Sequence, residues 1–401
     1  MDFTIPDEFI MLKKMVRKFT ENEIMPLEMT VIEREAARGF EAITSIPPEE
    51  EKKILAKAND LGLWGIDVPE EHGGQGLGML AKMLVEEEMS RSIVWIFLPP
   101  DSPNLDFLAN ACRPEQYDEY LLPYSRGEKT SALALTEANA GSDAAGIQLK
   151  ADRKGDKWVL NGTKLWISFG PKADFFIVIA VNDKVKKQKG GFTAFLVDRD
   201  TPGFKIMRNI PVIGDMLVYE LLLEDVVLDD SKVLGEVGQA FVPLQNRLGV
   251  RRIELAAKCC GLATRAMELM LTQAKVRETF GKPLGDRQFI QGMIADSTAE
   301  LHAARLMVYH AATKYDSGEK DLRVEGAMTK VFGTEMLQRI SDKAIQVHGA
   351  LGLSKEMVLE YMYRLCRVWR ILEGPSEIHR WLTARQIIRN EKPYETIVGM
   401  L

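Results

Sequence analysis

A carboxylate at the junction of an apolar run and a turn is the first candidate for chemistry in this sequence. In Trp369-Arg-Ile-Leu-Glu-Gly-Pro-Ser-Glu-Ile-His379, Glu373 follows Ile371-Leu372 and precedes Gly374-Pro375. Apolar neighbours disfavour the charged form of a carboxylate, which raises its pKa and suits it to general-base work. The same residue also reads as a helix-capping glutamate, because Ser376 opens a new helical run; at this level both readings stand.

Three other stretches have residue types that bind rather than react. Leu133-Ala-Leu-Thr-Glu-Ala-Asn-Ala-Gly-Ser-Asp143 is an apolar run that breaks into a small polar loop. Asn139, Gly141, Ser142 and Asp143 bring the backbone out with little bulk, so N–H groups and hydroxyls can meet a phosphate or a polar ring. An ordinary strand exit accounts for the same residues. In Lys164-Leu-Trp-Ile-Ser168, alternation puts Trp166 and Ser168 on one face and Leu165 and Ile167 on the other. A flat ring beside a hydroxyl can shelter a planar heterocycle, and a core tryptophan beside a surface serine is the plain alternative. In Val276-Arg-Glu-Thr-Phe-Gly-Lys282, followed by Arg287-Gln288, Arg277 can pair bidentately with a phosphate or simply complement a helix C-terminus.

Metal chemistry finds no support. His348 and His379 lack a ligand spacing and read as structural, and Cys112, Cys259, Cys260 and Cys366 form no C-x-x-C pair. Reduced thiols fit a cytoplasmic protein. The N-terminus lacks the basic and apolar regions of a signal peptide, and no apolar run reaches membrane-spanning length. A net charge of −6 argues against nucleic acid or an anionic membrane as partner.

The elements that must hold these residues fall into three blocks, written here as 1–127, 128–236 and 237–401. In the first, helical spacing runs from Asp7 to about Met25, where Pro26 ends it. Helices also read at Glu49 to Leu61, Met79 to Ser90 and Pro114 to Tyr124. The middle block is strand-like. Hairpin signals stand at Lys154-Gly-Asp-Lys157 and Leu160-Asn-Gly-Thr163, and strands at Ser131 to Leu135, Phe175–Val181, Phe192–Val197, Phe204–Met207 and Val218–Leu228. The third block returns to long helices at Phe241 to Val276, about Ile290 to Val308 and beyond, Val324 to Val347 and Ser376 to Arg389. The predicted fold class is a multidomain α+β protein: an N-terminal helical domain, a central antiparallel β-sheet domain and a C-terminal four-helix bundle.

Taken together, Thr136-Glu137 with Ala140-Gly-Ser-Asp143, Trp166, Arg277 with Thr279-Phe280-Gly281, Gln346 with Gly349, and Glu373-Gly374 resemble the acyl-CoA dehydrogenase flavoprotein family in order, spacing and layout. The resemblance implies FAD held between the β domain and the bundle. Leu133, Leu135, Thr136 and Ser142 would line the flavin ring and ribityl side, with Trp166 and Ser168 near the reactive edge. Arg277, Phe280, Gln288, Gln346 and Gly349 would hold the pyrophosphate and adenosine ends, some of them across a dimer interface. Pro375 and Glu377 join the cofactor set, and Ser142, Arg252 and Gly374 the substrate set. Glu373 would take the α-proton of an acyl-CoA thioester, flavin N5 the hydride, and an electron-transfer flavoprotein the electrons. A backbone N–H near Glu373 and a ribityl hydroxyl would polarise the thioester oxygen. Some relatives carry the base at the position matching Arg251, where a cation cannot serve.

This likeness also implies a homodimer or homotetramer. Its alternatives are another flavin reaction on a CoA thioester, such as enoyl-CoA reduction or elimination, and a non-catalytic relative that binds nucleic acid, which the acidic charge opposes. Gly249 stands where many members have an aspartate touching the CoA arm; Arg247, Arg251 and Arg252 crowd that region instead.

Overall fold

Acidic residues mark where most of the N-terminal helices begin, as the helix dipole favours. The computed structural model describes residues 4–100, 104–214, 216–319, 321–389, 391–392 and 394–398. Helix α1 (Asp7–Phe19) opens on Asp7 and Glu8 and ends on Arg17 and Lys18. It is followed by α2 (Glu28–Ala37), α3 (Pro48–Asp60), α4 (Gly78–Met89) and α5 (Asn104–Ala111). Two helical stretches read as continuous are interrupted. The run toward Met25 widens into a π turn over Thr20–Ile24 just before Pro26. The run from Pro114 breaks into α6 (Pro114–Gln116), a π turn over Tyr117–Leu121 and α7 (Leu122–Ser125), which contains Pro123. Proline offers no N–H and crowds the preceding turn, so the helix relaxes ahead of the ring in both places.

The central sheet is built from β1 (Ser131–Ala134), β2 (Lys150–Lys154), β3 (Lys157–Ser168), β4 (Phe175–Val181), β5 (Phe192–Asp198), β6 (Phe204–Ile210), β7 (Val218–Asp229) and β8 (Val233–Leu234), in the order β6-β7-β3-β2-β4-β5-β8. Most pairs are antiparallel, but β1 joins β4 in parallel, Leu133 opposite Ile177. All seven residues of β4 are buried. Phe175, Ile177 and Ile179 pack toward α5 and the start of the bundle, while Phe176, Val178 and Ala180 fill the opposite face.

Only one of the two hairpin signals makes a hairpin. Gly155-Asp156 turns β2 into β3, with Lys154 opposite Lys157. Asn161-Gly162 instead lies within β3, where the register to β7 shifts between Leu160 and Gly162. Asp225, across the sheet, decides this: its carboxylate accepts from Asn161 Nδ2 at 3.1 Å, and its backbone N–H donates to Asn161 Oδ1 at 2.8 Å. The pair stabilises a bulge, and Gly162 takes a φ of +146° there.

The bundle comprises α8 (Phe241–Val276), α9 (Gln288–Asp316), α10 (Arg323–His348), α11 (Leu359–Trp369) and α12 (Ser376–Ile388), with the small ribbon β9 (Glu278–Thr279) and β10 (Lys282–Pro283) after α8. Glycines bring α8 and α10 together: a Cβ on Gly326 would stand 2.7 Å from Gly249 O. Gly249 is therefore a helix-contact position. Among the described residues no helix is long and apolar enough to cross a membrane.

Candidate active site

The sheet and the bundle enclose a cavity of about 1490 Å³. That exceeds the ~300–1,000 Å³ usual for one small-molecule ligand. Leu133, Leu135, Thr136 and Ser142 line it from β1 and its exit loop, and Trp166 and Ser168 from β3. Glu373, Gly374 and Pro375 enter from the turn before α12, and Arg252 from α8.

The loop after β1 is braced from beneath. Lys164 is fully buried, and its ammonium donates to Leu135 O and to Glu137 Oε1, each at 2.8 Å. Glu137 also accepts from the Gln148 and Leu149 N–H groups at 2.6 and 3.0 Å. Burial pushes the Lys164 pKa down to about 8 against the pull of Glu137. This knot fixes the backbone on either side of Thr136. The next bulge in β3 falls between Lys164 and Ile167 and leaves Trp166 at a φ of +62°, 47 % exposed toward the cavity. A bulky residue in the left-handed region costs about 1–3 kcal/mol and is typically kept for function. Glu373 and Phe169, also cavity-lining, share that conformation, at +57° and +64°. The hydroxyls of Thr136, Ser142 and Ser168 beside an open indole suit a flat heteroaromatic ring with a hydrogen-bonding edge.

Glu373 does not sit among apolar groups as its sequence neighbours imply. Its carboxylate faces Arg247 Nη1 at 3.4 Å and Arg251 Nε at 3.9 Å, both from α8. Its backbone is clamped as well. Arg252 Nε and His379 Nε2 both approach Glu373 O at 3.1 Å, and Lys330 Nζ donates to Gly374 O at 2.8 Å. A carbonyl only accepts, so the His379 proton lies on Nε2. Gly374, at a φ of +97°, must be glycine, because a Cβ would meet His379 Cε1 at 2.8 Å. Lys164, Lys330 and Phe169 carried no sequence signal of a role here; Phe169 joins Trp95 and Phe97 in an aromatic wall of the cavity, rings 97 and 169 meeting edge-on at 5.0 Å.

Burial, with Arg252 and Lys330 nearby, pushes the His379 pKa down to about 3. Unfolded, the imidazole binds its proton near 6.5. Between those values the unfolded chain holds the extra proton, so acidification destabilises the fold by up to about 1.4 kcal/mol per pH unit. Urea unfolding from pH 6.5 to 4 should show this loss, and His379→Gln should show a shallower one. Equal slopes would remove His379 from the linkage.

The structure does not bring all candidate positions together. Arg277, Phe280, Gln288, Gln346 and Gly349 are exposed on the bundle and line no part of the cavity. Glu377 is exposed on the first turn of α12 and also stays outside it. Phe280 is 98 % exposed at the tip of the β9–β10 ribbon with a φ of +50°.

Helical ends surround an eight-stranded sheet, with a cavity between sheet and bundle that has a carboxylate on one wall and an open indole on another. The chain belongs to the acyl-CoA dehydrogenase family: its N-terminal, middle and C-terminal domain profiles match residues 6–128, 132–226 and 241–388. It is an FAD-dependent oxidoreductase. It is 49% identical to (R)-benzylsuccinyl-CoA dehydrogenase of Thauera aromatica, over 100% of both chains. It is 33% identical to the caffeyl-CoA reductase–Etf complex subunit CarC of Acetobacterium woodii, over 94% of this chain and 98% of that one. The glutaryl-CoA dehydrogenase–glutaryl-CoA complex superposes with a TM-score of 0.87 at 30% identity, covering 97% of each chain.

Proposed function

We propose that the protein dehydrogenates an acyl-CoA thioester at its α,β bond to give the 2,3-enoyl-CoA, with Glu373 as the base. One observation carries this reading: a carboxylate held on a strained left-handed turn, facing the cavity, with its own backbone clamped by three cationic or polar side chains. FAD, when bound, supplies the hydride acceptor for the β-hydrogen. The chain supplies the rest. Glu373 takes the α-proton, and the pull of Arg252 and His379 on Glu373 O and of Lys330 on Gly374 O orients the peptides beside it. The Glu373–Gly374 peptide can then offer the Gly374 N–H to the thioester oxygen as negative charge develops there; the next peptide, at Pro375, has no N–H to give.

Leu133, Leu135, Thr136, Ser142, Trp166, Ser168 and Pro375 form the flavin side of the cavity in this reading. Ser142, Arg252 and Gly374 form the thioester side. Arg277, Phe280, Gln288, Gln346 and Gly349 serve the cavity of a second copy, in a homodimer or homotetramer; the strained, fully exposed Phe280 supports this assignment. Glu377 belongs to neither group within one chain and reads best as a helix N-terminal charge. The electron acceptor is an electron-transfer flavoprotein, in keeping with the Etf complex named for the CarC relative, and the setting is cytoplasmic. Oxidation rather than enoyl reduction is favoured by the dehydrogenase named at 49% identity.

A panel of acyl-CoAs, including butyryl-, glutaryl- and benzylsuccinyl-CoA, tests the proposal with an artificial electron acceptor. At least one should give enoyl-CoA and reduce the acceptor. A protein that holds FAD yet oxidises none, while reducing an enoyl-CoA, would reverse the assignment.

A further inference from the structure

Among the described residues, the cavity wall beside Glu373 has more cationic than anionic side chains. Arg247, Arg251 and Arg252 come from consecutive turns of α8, and all three line the cavity. Glu373 shares its one carboxylate between Arg247 and Arg251, and Arg247 also donates through Nε to Asn104 Oδ1 at 2.9 Å. Arg251 also reaches Glu254 at 3.0 Å, but Glu254 already takes Lys82 at 2.9 Å. Arg252 is 6 % exposed, meets only the carbonyl oxygen of Glu373 through Nε, and leaves its Nη1 buried without a hydrogen-bond partner. Lys258 adds a further cation on the same wall, paired with Glu86 at 3.0 Å and lying 4.7 Å from the Phe97 ring centre. Burial pushes the Arg252 pKa down to about 10, with Glu373 opposing and neighbouring Arg247 adding to the fall. A buried cation that lacks its anion is costly to keep, and an anion brought by a ligand relieves that cost.

The location says which anion. The base must touch the α-hydrogen of the thioester, so guanidiniums within 4 Å of the Glu373 carboxylate stand beside the acyl end of the substrate. The phosphates of CoA stand at the far end of the pantetheine arm and cannot reach them. Guanidiniums present planar forks of donors that match a carboxylate.

We propose that Arg247 and Arg251, backed by Arg252, form a subsite for a second carboxylate on the acyl group, so that the substrates are CoA thioesters of dicarboxylic acids. The subsite rests on the dehydrogenase reading above and narrows it. Trp95, Phe97 and Phe169 line the same cavity and give the acyl group an apolar surface beside the guanidiniums, with Arg251 6.0 Å from the Phe97 ring centre.

The test compares a matched pair of probes on the FAD-loaded protein: benzylsuccinyl-CoA and the same thioester with its free carboxylate converted to the carboxamide. kcat/KM is measured for both, together with binding by calorimetry in the Glu373→Gln background, where turnover is suppressed. Wild type should prefer the carboxylate by about 10- to 150-fold, the range for one charged hydrogen-bonded contact. In Arg251→Gln that ratio should fall to a few-fold, while Arg251→Lys should keep part of it. FAD content and melting temperature show that each variant is folded.

A wild-type enzyme that treats both probes alike overturns the subsite and leaves the dehydrogenase reading standing. Arg251→Gln losing both probes equally also overturns it, because the guanidinium would then serve the base or the thioester oxygen. Failure of both probes and of every other acyl-CoA to reduce the flavin sinks the dehydrogenase reading, and the subsite with it.

Discussion

Glu373→Gln is expected to cut flavin reduction by acyl-CoA by at least about 10²–10⁴-fold, the usual contribution of a positioned general base. Glutamine keeps the length and shape of the side chain, so the left-handed turn at 373 and 374 and its clamp by Arg252, His379 and Lys330 should survive. What disappears is the proton acceptor. The alternative base position is filled by Arg251, whose charge burial opposes but Glu254 and Glu373 sustain, holding its pKa above the ordinary value. Arg247 and Arg251, the described side chains that face Glu373, are both cations and cannot take over. Anaerobic stopped-flow bleaching of the flavin reads the effect, with FAD content as the control for folding. Bleaching at the wild-type rate would make Glu373 a helix cap and move the base elsewhere.

Arg277→Ala should weaken FAD retention by about 1.5–3 kcal/mol, which is roughly 10- to 150-fold in the dissociation constant. Arg277 ends α8 and is exposed, at the root of the ribbon that presents Phe280. In one chain it lies outside the cavity, so its effect on FAD must pass through a second copy. The variant should accordingly lose FAD and subunit association together, read by titrating the apoprotein with FAD and by sedimentation at several concentrations. Unchanged FAD affinity would leave Arg277 as a helix-end cation, and lost FAD in an undisturbed monomer would contradict the shared site.

What the sequence told about the fold tracks how local the deciding interactions are. The long helices α8 and α10 could be read within a residue or so, because apolar spacing sustained over many turns overrides local noise. Strand β4 was equally plain as seven apolar residues between turn signals. Asn161-Gly162 was misread because the residue that turns it into a bulge, Asp225, lies on another strand. Trp166 does face the site, but through a left-handed bulge rather than the simple alternation of a flat strand.

The candidate site divides in the same way. Glu373 and the loop after β1 were visible, since an apolar run meeting a turn is a local signal. The surroundings of Glu373 were not: its apolar sequence neighbours concealed Arg247, which arrives from 126 residues upstream. Lys164 offered no signal either, because a lysine inside a strand reads as solvent-facing until Glu137 is found beneath the loop.

Single-turnover mixing under anaerobic conditions tests the central claim most directly. Holoenzyme is mixed with one equivalent of an acyl-CoA deuterated at the α-carbon, and flavin absorbance, enoyl-CoA and solvent deuterium are followed together. The dehydrogenase account predicts one 2,3-enoyl-CoA and one α-deuteron released for each flavin bleached, with bleaching slower than for the undeuterated thioester. Bleaching without enoyl-CoA, or enoyl-CoA that retains the full α-deuterium complement, would contradict it.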